Sequence, residues 1–277
     1  MSIVVGTSAC NAHCPFCVSK QTPECNTPTI TNWRNFLIAL NLAEKASATT
    51  ILLTGKGEPT LYPDLISDYL LWISRSKTNI PFIELQTNGI RIGKGEIDRY
   101  LKCWYGNGLT TIALSAVETG FANKSIYNDD YPELKDTVAK LVGYGFTVRL
   151  SMMMMKRYIC KPSDIDRVVD FCKDNKVKQL TLRPIARVVD ENNVTQWVAE
   201  HALSDSEVAN IVDHVNKNGN PVLHLAHGAT VYDYKGQNLC LSNCLTTNDT
   251  DDNMRQIIFF PDGTIGYDWK YKGAVLL

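Results

Sequence analysis

No apolar run in these 277 residues approaches the roughly 18 needed to span a bilayer. The start, Met1-Ser2-Ile3-Val4-Val5-Gly6, has no basic region and is too short for a secretory leader. A cytoplasmic protein is expected. Excess charge is missing too, since 28 lysines and arginines face 29 aspartates and glutamates. Without a basic surplus, nucleic acid is a disfavoured partner, a local basic groove being the one exception. There is no internal repeat and no long low-complexity segment. A disulfide scaffold is not suggested either, because the nine cysteines are odd in number and clustered. They read as thiols and metal ligands. The composition, 44% hydrophobic and 21% charged, is that of an ordinary globular chain, long enough to bury a sizeable core.

Three cysteines fall within eight residues, Cys10-Asn11-Ala12-His13-Cys14-Pro15-Phe16-Cys17. The C-x3-C-x2-C spacing gathers three soft thiolates on one tight loop, too few for the four-cysteine shell of an electron-transfer iron–sulfur cluster. One iron would then lack a protein ligand. An open position on a redox metal can hold a substrate or cosubstrate, as a catalytic zinc does with its free position. A structural zinc site is the other reading, with His13 as fourth ligand. His13 adjoins Cys14, which makes ligation by both awkward.

Short β-rich runs at 2–7, 50–54, 82–86, 110–115, 147–153 and 179–183 alternate with helical spacings near 33–45, 63–76, 94–104, 131–144 and 162–175. The alternation predicts an α/β fold, an open, partial (β/α)6 barrel, since a closed eight-stranded barrel needs two more units. Function in such sheets collects at the carboxyl ends of the strands. Past residue 185 the texture changes. Residues 186–199 are polar and irregular, 205–218 helical and 221–225 strand-like, with a hairpin about Pro261-Asp262-Gly263. A barrel over 1–185 and a C-terminal extension over 186–277 are expected.

Chemistry-bearing residues stand at the strand ends. The second strand runs into Thr54-Gly55-Lys56-Gly57-Glu58-Pro59, where glycines let backbone approach a ligand and Glu58 can receive an ammonium group. A Thr87-Asn88-Gly89 turn ends the third. Ser115 ends the fourth and Ser151 lies on the fifth, each either a ligand contact or a serine bonded to its own backbone. Arg183 ends the sixth, where a guanidinium binds a substrate carboxylate or phosphate, or else forms a structural ion pair. The run Met152-Met153-Met154-Met155 reads as core filling.

The cysteine run, with Phe16 just before its third cysteine, and Gly57-Glu58-Pro59 resemble the signature of the radical S-adenosylmethionine (radical SAM) enzymes. The resemblance implies a 4Fe-4S cluster on Cys10, Cys14 and Cys17 whose open iron chelates the amino and carboxylate groups of SAM. It implies that reduction of SAM yields methionine and a 5'-deoxyadenosyl radical that takes a hydrogen atom from substrate. Phe16, Gly57, Glu58, Asn88, Ser115 and Ser151 would then border the cofactor, with Arg183 left for substrate. Lys56 departs from the glycine that many members have there, and adds positive charge near the methionyl carboxylate or substrate. The implied partners are a peptide or small-metabolite substrate and a reductant such as flavodoxin or ferredoxin. A nucleoside or modified nucleobase is the alternative substrate. The alternative of another class is a non-catalytic iron–sulfur or zinc-binding protein, disfavoured because Gly57-Glu58 has no evident purpose without SAM.

In the tail, Cys240-Leu241-Ser242-Asn243-Cys244 ahead of a Pro-Asp-Gly hairpin resembles the twitch or SPASM extension of some radical SAM enzymes, which holds a second iron–sulfur cluster. Asp268 stands where that hairpin's cysteine is expected, and carboxylate matches cluster iron less well than thiolate. Three readings stay open: a second cluster using Cys240, Cys244 and Asp268 with a further ligand, a region converted to substrate binding, or a hairpin that closes the barrel.

Overall fold

The computed structural model of the chain describes residues 1–21, 30–185, 193–225, 228–242, 256–269, 271 and 273–277. Strands β1 (Ser2–Val4), β2 (Thr50–Thr54), β3 (Phe82–Thr87), β4 (Thr111–Ala116), β5 (Thr147–Met154) and β6 (Gln179–Pro184) lie side by side in chain order, all parallel. Between them run α1 (Trp33–Lys45), α2 (Pro63–Ser76), α3 (Ile90–Gly93), α4 (Asp98–Gly106), α5 (Ala122–Ile126), α6 (Leu134–Gly143) and α7 (Pro162–Asp174). Successive strand residues face opposite ways. Ile51 and Leu53, Ile112 and Leu114, and Val148 and Leu150 join the main core with Phe36, Leu70, Leu101 and Val168 of the helices. The intervening residues line the other, inner face.

This is the expected partial (β/α)6 barrel, and its sheet stays open. The order is β11-β10-β1-β2-β3-β4-β5-β6-β9-β8-β7, where the tail supplies α8 (Asn193–His201), α9 (Asp205–Asn218), β7 (Gly219–His224), β8 (Thr230–Tyr234), β9 (Gln237–Leu241), β10 (Ile258–Phe259) and β11 (Ile265–Gly266). Strand β9 adds parallel to β6, and β10 parallel to β1. The tail thus prolongs the barrel sheet at both edges. Among the described residues no helix is long and apolar enough to cross a membrane.

Several boundaries follow from capping. Helix α9 starts on the box Ser204-Asp205-Ser206-Glu207, with Ser204 Oγ accepting from Glu207 N (3.2 Å) and Glu207 Oε2 accepting from Ser204 N (2.7 Å). Helix α7 begins at Pro162, and Asp164 Oδ2 accepts from the N–H groups of Cys160 (3.0 Å) and Lys161 (3.1 Å).

Three expectations need correction. The helix expected over 94–104 starts only at Asp98, as α4, because a turn with Gly95 at a φ of +75° separates it from the short α3 before it. Residues 186–199 are not irregular throughout. The described part, from 193, is helix α8, whose Val198 is buried, with Ala202 just beyond the helix, in a second, smaller core with Phe16 and Met155. Packing outweighs weak local propensity there. The first strand ends at Val4, because the chain then turns into the cysteine loop. The methionine run fills core as expected, with Met152 and Met154 in the main cluster and Met155 in the second.

Candidate active site

The cysteine loop leaves the carboxyl end of β1 and is held there from several sides. Glu58 N donates to Ala9 O (3.0 Å), His13 N to Tyr127 O (2.8 Å) and Asn128 Nδ2 to Asn11 O (2.8 Å). Ser19 Oγ donates to Lys56 O. Gly57 permits this closeness, since a Cβ there would stand 1.9 Å from Ala9 O and 2.6 Å from Ala9 C. The glycine expected to face a cofactor therefore has a prior duty, which is to let two backbone segments touch.

Glu58 ties the second and third strand ends together. It is only 3% exposed. Its Oε1 accepts from Thr60 N (3.0 Å), Thr60 Oγ1 (2.6 Å) and Thr87 Oγ1 (2.5 Å), and its Oε2 accepts from Asn88 N (2.9 Å). A carboxylate oxygen offers about two lone-pair directions, so Oε1 is full and Oε2 keeps room for one more donor, such as an ammonium group. Asn88 continues the chain of contacts. Its Oδ1 accepts from Ile90 N (3.0 Å), and its Nδ2 donates to Asn11 Oδ1 (2.7 Å) with Cys10 Sγ 3.9 Å away. Glu58→Gln keeps the shape but puts a donor where one was accepted. The metal-free chain should lose about 2–3 kcal/mol, read as a lower denaturation midpoint with an unchanged slope.

Phe16, expected beside the cofactor, anchors the cysteine loop. Its ring is buried in the second core and meets Tyr127 edge-on (6.5 Å between centroids) and Trp197 of α8 (5.9 Å). Cys14 packs against the same core. Burial pushes the Cys14 thiol up to about 12, and repulsion from Cys17 and Cys10 adds to it. Burial also raises Cys10, against the Ala12 N–H that reaches its sulfur at 3.4 Å. The protein alone therefore favours thiols. Ionising them calls for positive charge, which is what bound iron brings, so this donor set fits an iron–sulfur cluster. The single-ion zinc reading fares worse. His13 is exposed, and among the described residues no three histidine, cysteine, aspartate or glutamate side chains gather as one ion requires.

The inner face carries the remaining candidates. Ser115 on β4 pairs with Ser151 on β5, Ser151 with Thr181 on β6, and Thr181 with Cys240 on β9. Arg183 lies two residues beyond Thr181, beside Met153. Sequence reasoning missed Thr181, because register across strands is not visible in a single run. At the far end of the barrel, Glu84 and Arg149 form an ion pair in a cavity of about 700 Å³ lined by the first residues of the strands.

Two of the three residues expected in a second metal set are described, and they stand at different strands of the sheet. Cys240 is on β9, beyond β6, whereas Asp268 follows β11 at the opposite edge of the sheet. Cys244 lies outside the described residues. The tail hairpin instead brings Trp269 to the Gly57 loop, its ring 5.6 Å from Lys56 Nζ.

The family model for the radical SAM superfamily matches residues 4–172, well over half of the chain. The chain belongs to the radical SAM superfamily. That enzyme superfamily implies SAM and a 4Fe-4S cluster as cofactors. No curated protein sequence matches the chain. Among solved structures, Streptococcus suis SuiB bound to its precursor peptide SuiA is 15% identical with a TM-score of 0.62, over 95% of this chain and 58% of SuiB. Native anSMEcpe with bound AdoMet is 14% identical with a TM-score of 0.62, over 98% and 74%. A radical SAM methyltransferase from Sphaerobacter thermophilus is 14% identical with a TM-score of 0.56, over 87% and 66%. The chain spans less than two thirds of SuiB's length. At these identities the likeness is one of fold, and the radical SAM barrel is that fold.

Proposed function

We propose that this radical SAM protein cleaves SAM reductively at a 4Fe-4S cluster held by Cys10, Cys14 and Cys17, and uses the resulting radical to activate a peptide or small-metabolite substrate. The observation that carries the reading is the single hydrogen-bonded unit running from Glu58 through Asn88 to Asn11 and Cys10. It joins the three-thiol loop to a buried carboxylate with one acceptor direction left. When bound, cluster and SAM supply an electron transfer that breaks a carbon–sulfur bond and frees a 5'-deoxyadenosyl radical able to remove a hydrogen atom from substrate.

The chain's own residues orient and enclose. Cys10, Cys14 and Cys17 supply three thiolates and leave one metal position without a protein ligand. Glu58 Oε2 receives the amino group of SAM, and the Gly57 backbone lies close enough to line its path. Asn88 fixes the cysteine loop against the third strand end, while Ser115 and Ser151 offer hydroxyls to the polar parts of SAM. Phe16 holds the loop down and, with Trp197 of α8, keeps water from that flank. The reductant is a low-potential one-electron donor such as flavodoxin or ferredoxin. A peptide substrate draws support from SuiB, a fold neighbour with a precursor peptide bound. No second cluster is proposed.

Anaerobic reconstitution tests the cofactor assignment. About four irons and four sulfides per chain are expected. The electron paramagnetic resonance signal of the reduced protein should change on adding SAM, because SAM enters the coordination of the open iron. Zinc as the only bound metal, or a signal indifferent to SAM, contradicts the assignment.

A further inference from the structure

Building on the radical SAM reading, we infer that the inner face of β6 and β9 binds a carboxylate of the substrate, with Arg183 as its receptor and Thr181 and Cys240 alongside. Arg183 is the decisive residue. Its Nε is buried without an acceptor, and among the described residues no hydrogen bond or ion pair reaches its side chain. A buried donor left unmatched costs roughly 1–3 kcal/mol, so a guanidinium held in this way suits an incoming anion.

Its neighbours extend the case. Ser151 is 9% exposed, and among the described residues no hydrogen bond reaches its hydroxyl or those of Ser115 and Thr181. Their strand partners on either side, Leu150, Met152, Leu180 and Leu182, belong to the main core, so the hydroxyl row faces the barrel interior. From Ser115 to Cys240 it crosses four adjacent strands, roughly 14 Å at the usual strand spacing. The Ser115 end suits SAM. The Thr181–Cys240 end, next to Arg183, is left for a second molecule. Arg183 is also on the cysteine side of the barrel, since Ile185, two residues on, packs in the second core with Phe16.

Charge selects a carboxylate over a phosphate. The inner face has a second guanidinium, Arg149, but Glu84 neutralises it. Among the described residues this leaves the Arg183 guanidinium as the inner-face positive charge without a counter-charge, and with neutral hydroxyls it matches a single negative charge and a short polar chain. An acidic side chain or a chain-terminal carboxylate has that chemistry, whereas a phosphate dianion would leave charge unmatched.

Calorimetric titration of the reconstituted full-length chain, with and without SAM, tests the subsite using N-acetyl-L-glutamate, its neutral analogue N-acetyl-L-glutamine, and inorganic phosphate. The glutamate derivative should bind about tenfold or more tighter than the glutamine derivative. Arg183→Gln should erase that preference while leaving SAM affinity within about threefold, because the lost bonds are to the probe alone. Thr181→Val should weaken both N-acetyl probes alike. Equal binding of the two N-acetyl probes to the wild type overturns the inference, as does tighter binding of phosphate. A loss of SAM affinity of about tenfold in Arg183→Gln also overturns it, by assigning the guanidinium to SAM. Failure of the wild type to bind SAM counts against the radical SAM reading instead, and the titration without SAM still reports on the carboxylate subsite.

Discussion

Alanine at Cys10, Cys14 or Cys17, one at a time, should lower bound iron to background and abolish SAM cleavage without unfolding the chain. Each thiolate is assigned its own iron, and two remaining thiolates are a poor cage for a cubane. No substitute is at hand, because the other described cysteines, Cys103, Cys160, Cys172 and Cys240, stand on α4, just before and within α7, and on β9. Stability should change little. Cys10 is at the surface, Cys14 and Cys17 are half-buried, and the loop keeps its hold through Asn11, His13 and Phe16. Cys103, an exposed thiol on α4, is the matched control, and Cys103→Ala should keep full iron content. Iron analysis and a thermal melt of each variant check both halves. A single-cysteine variant that retains its iron removes that residue from the ligand set.

Gly57→Ala should be the most damaging single-methyl change in the site. The new carbon would overlap Ala9 O at 1.9 Å, and what it meets is backbone that cannot rotate away as a side chain would. Either the two loops part, breaking the Glu58 N to Ala9 O bond of 3.0 Å, or both strand ends shift. Overpacking of this kind costs about 3 kcal/mol or more. The melting temperature should fall by roughly 6–12 °C at this chain length, and iron loading should fall with it because the cysteine loop is displaced. Gly106→Ala gives the contrast. Nothing lies within 4 Å of a Cβ there, in helix α4, so stability should hold or rise slightly. If Gly57→Ala melts and loads iron like the wild type, the tight contact between the loops is not a requirement of the site.

The barrel and the mouth of the site were legible in the sequence because their determinants are local. Strands β2 to β6 announce themselves as short β-branched runs between helical spacings, and the cysteine and Gly57-Glu58 segments each carry their meaning within a few residues. Roles were less legible than positions. Phe16 stands where the pattern puts it, yet its anchoring contacts with Tyr127 and Trp197 come from distant segments. Gly57 looked like a cofactor contact, and only the approach of Ala9 reveals why a side chain is forbidden. Helix α8 was missed because its packing against Phe16 outweighs a polar local sequence. The hairpin of β8 and β9 did have a signal, Tyr234-Lys235-Gly236-Gln237, with φ of +53° at Lys235 and +82° at Gly236, a two-residue turn suited to strand twist. Cys240 and Asp268 share the tail in sequence, and the tail divides between the two sides of the sheet.

The most direct test of SAM cleavage is the formation of 5'-deoxyadenosine by the anaerobically reconstituted full-length chain given SAM and dithionite. The arrangement of Cys10, Cys14, Cys17 and Glu58 predicts 5'-deoxyadenosine and methionine in equal amounts, dependent on the reductant and absent from the cysteine variants. A chain that carries about four irons and binds SAM, yet forms no 5'-deoxyadenosine under reduction, would contradict it.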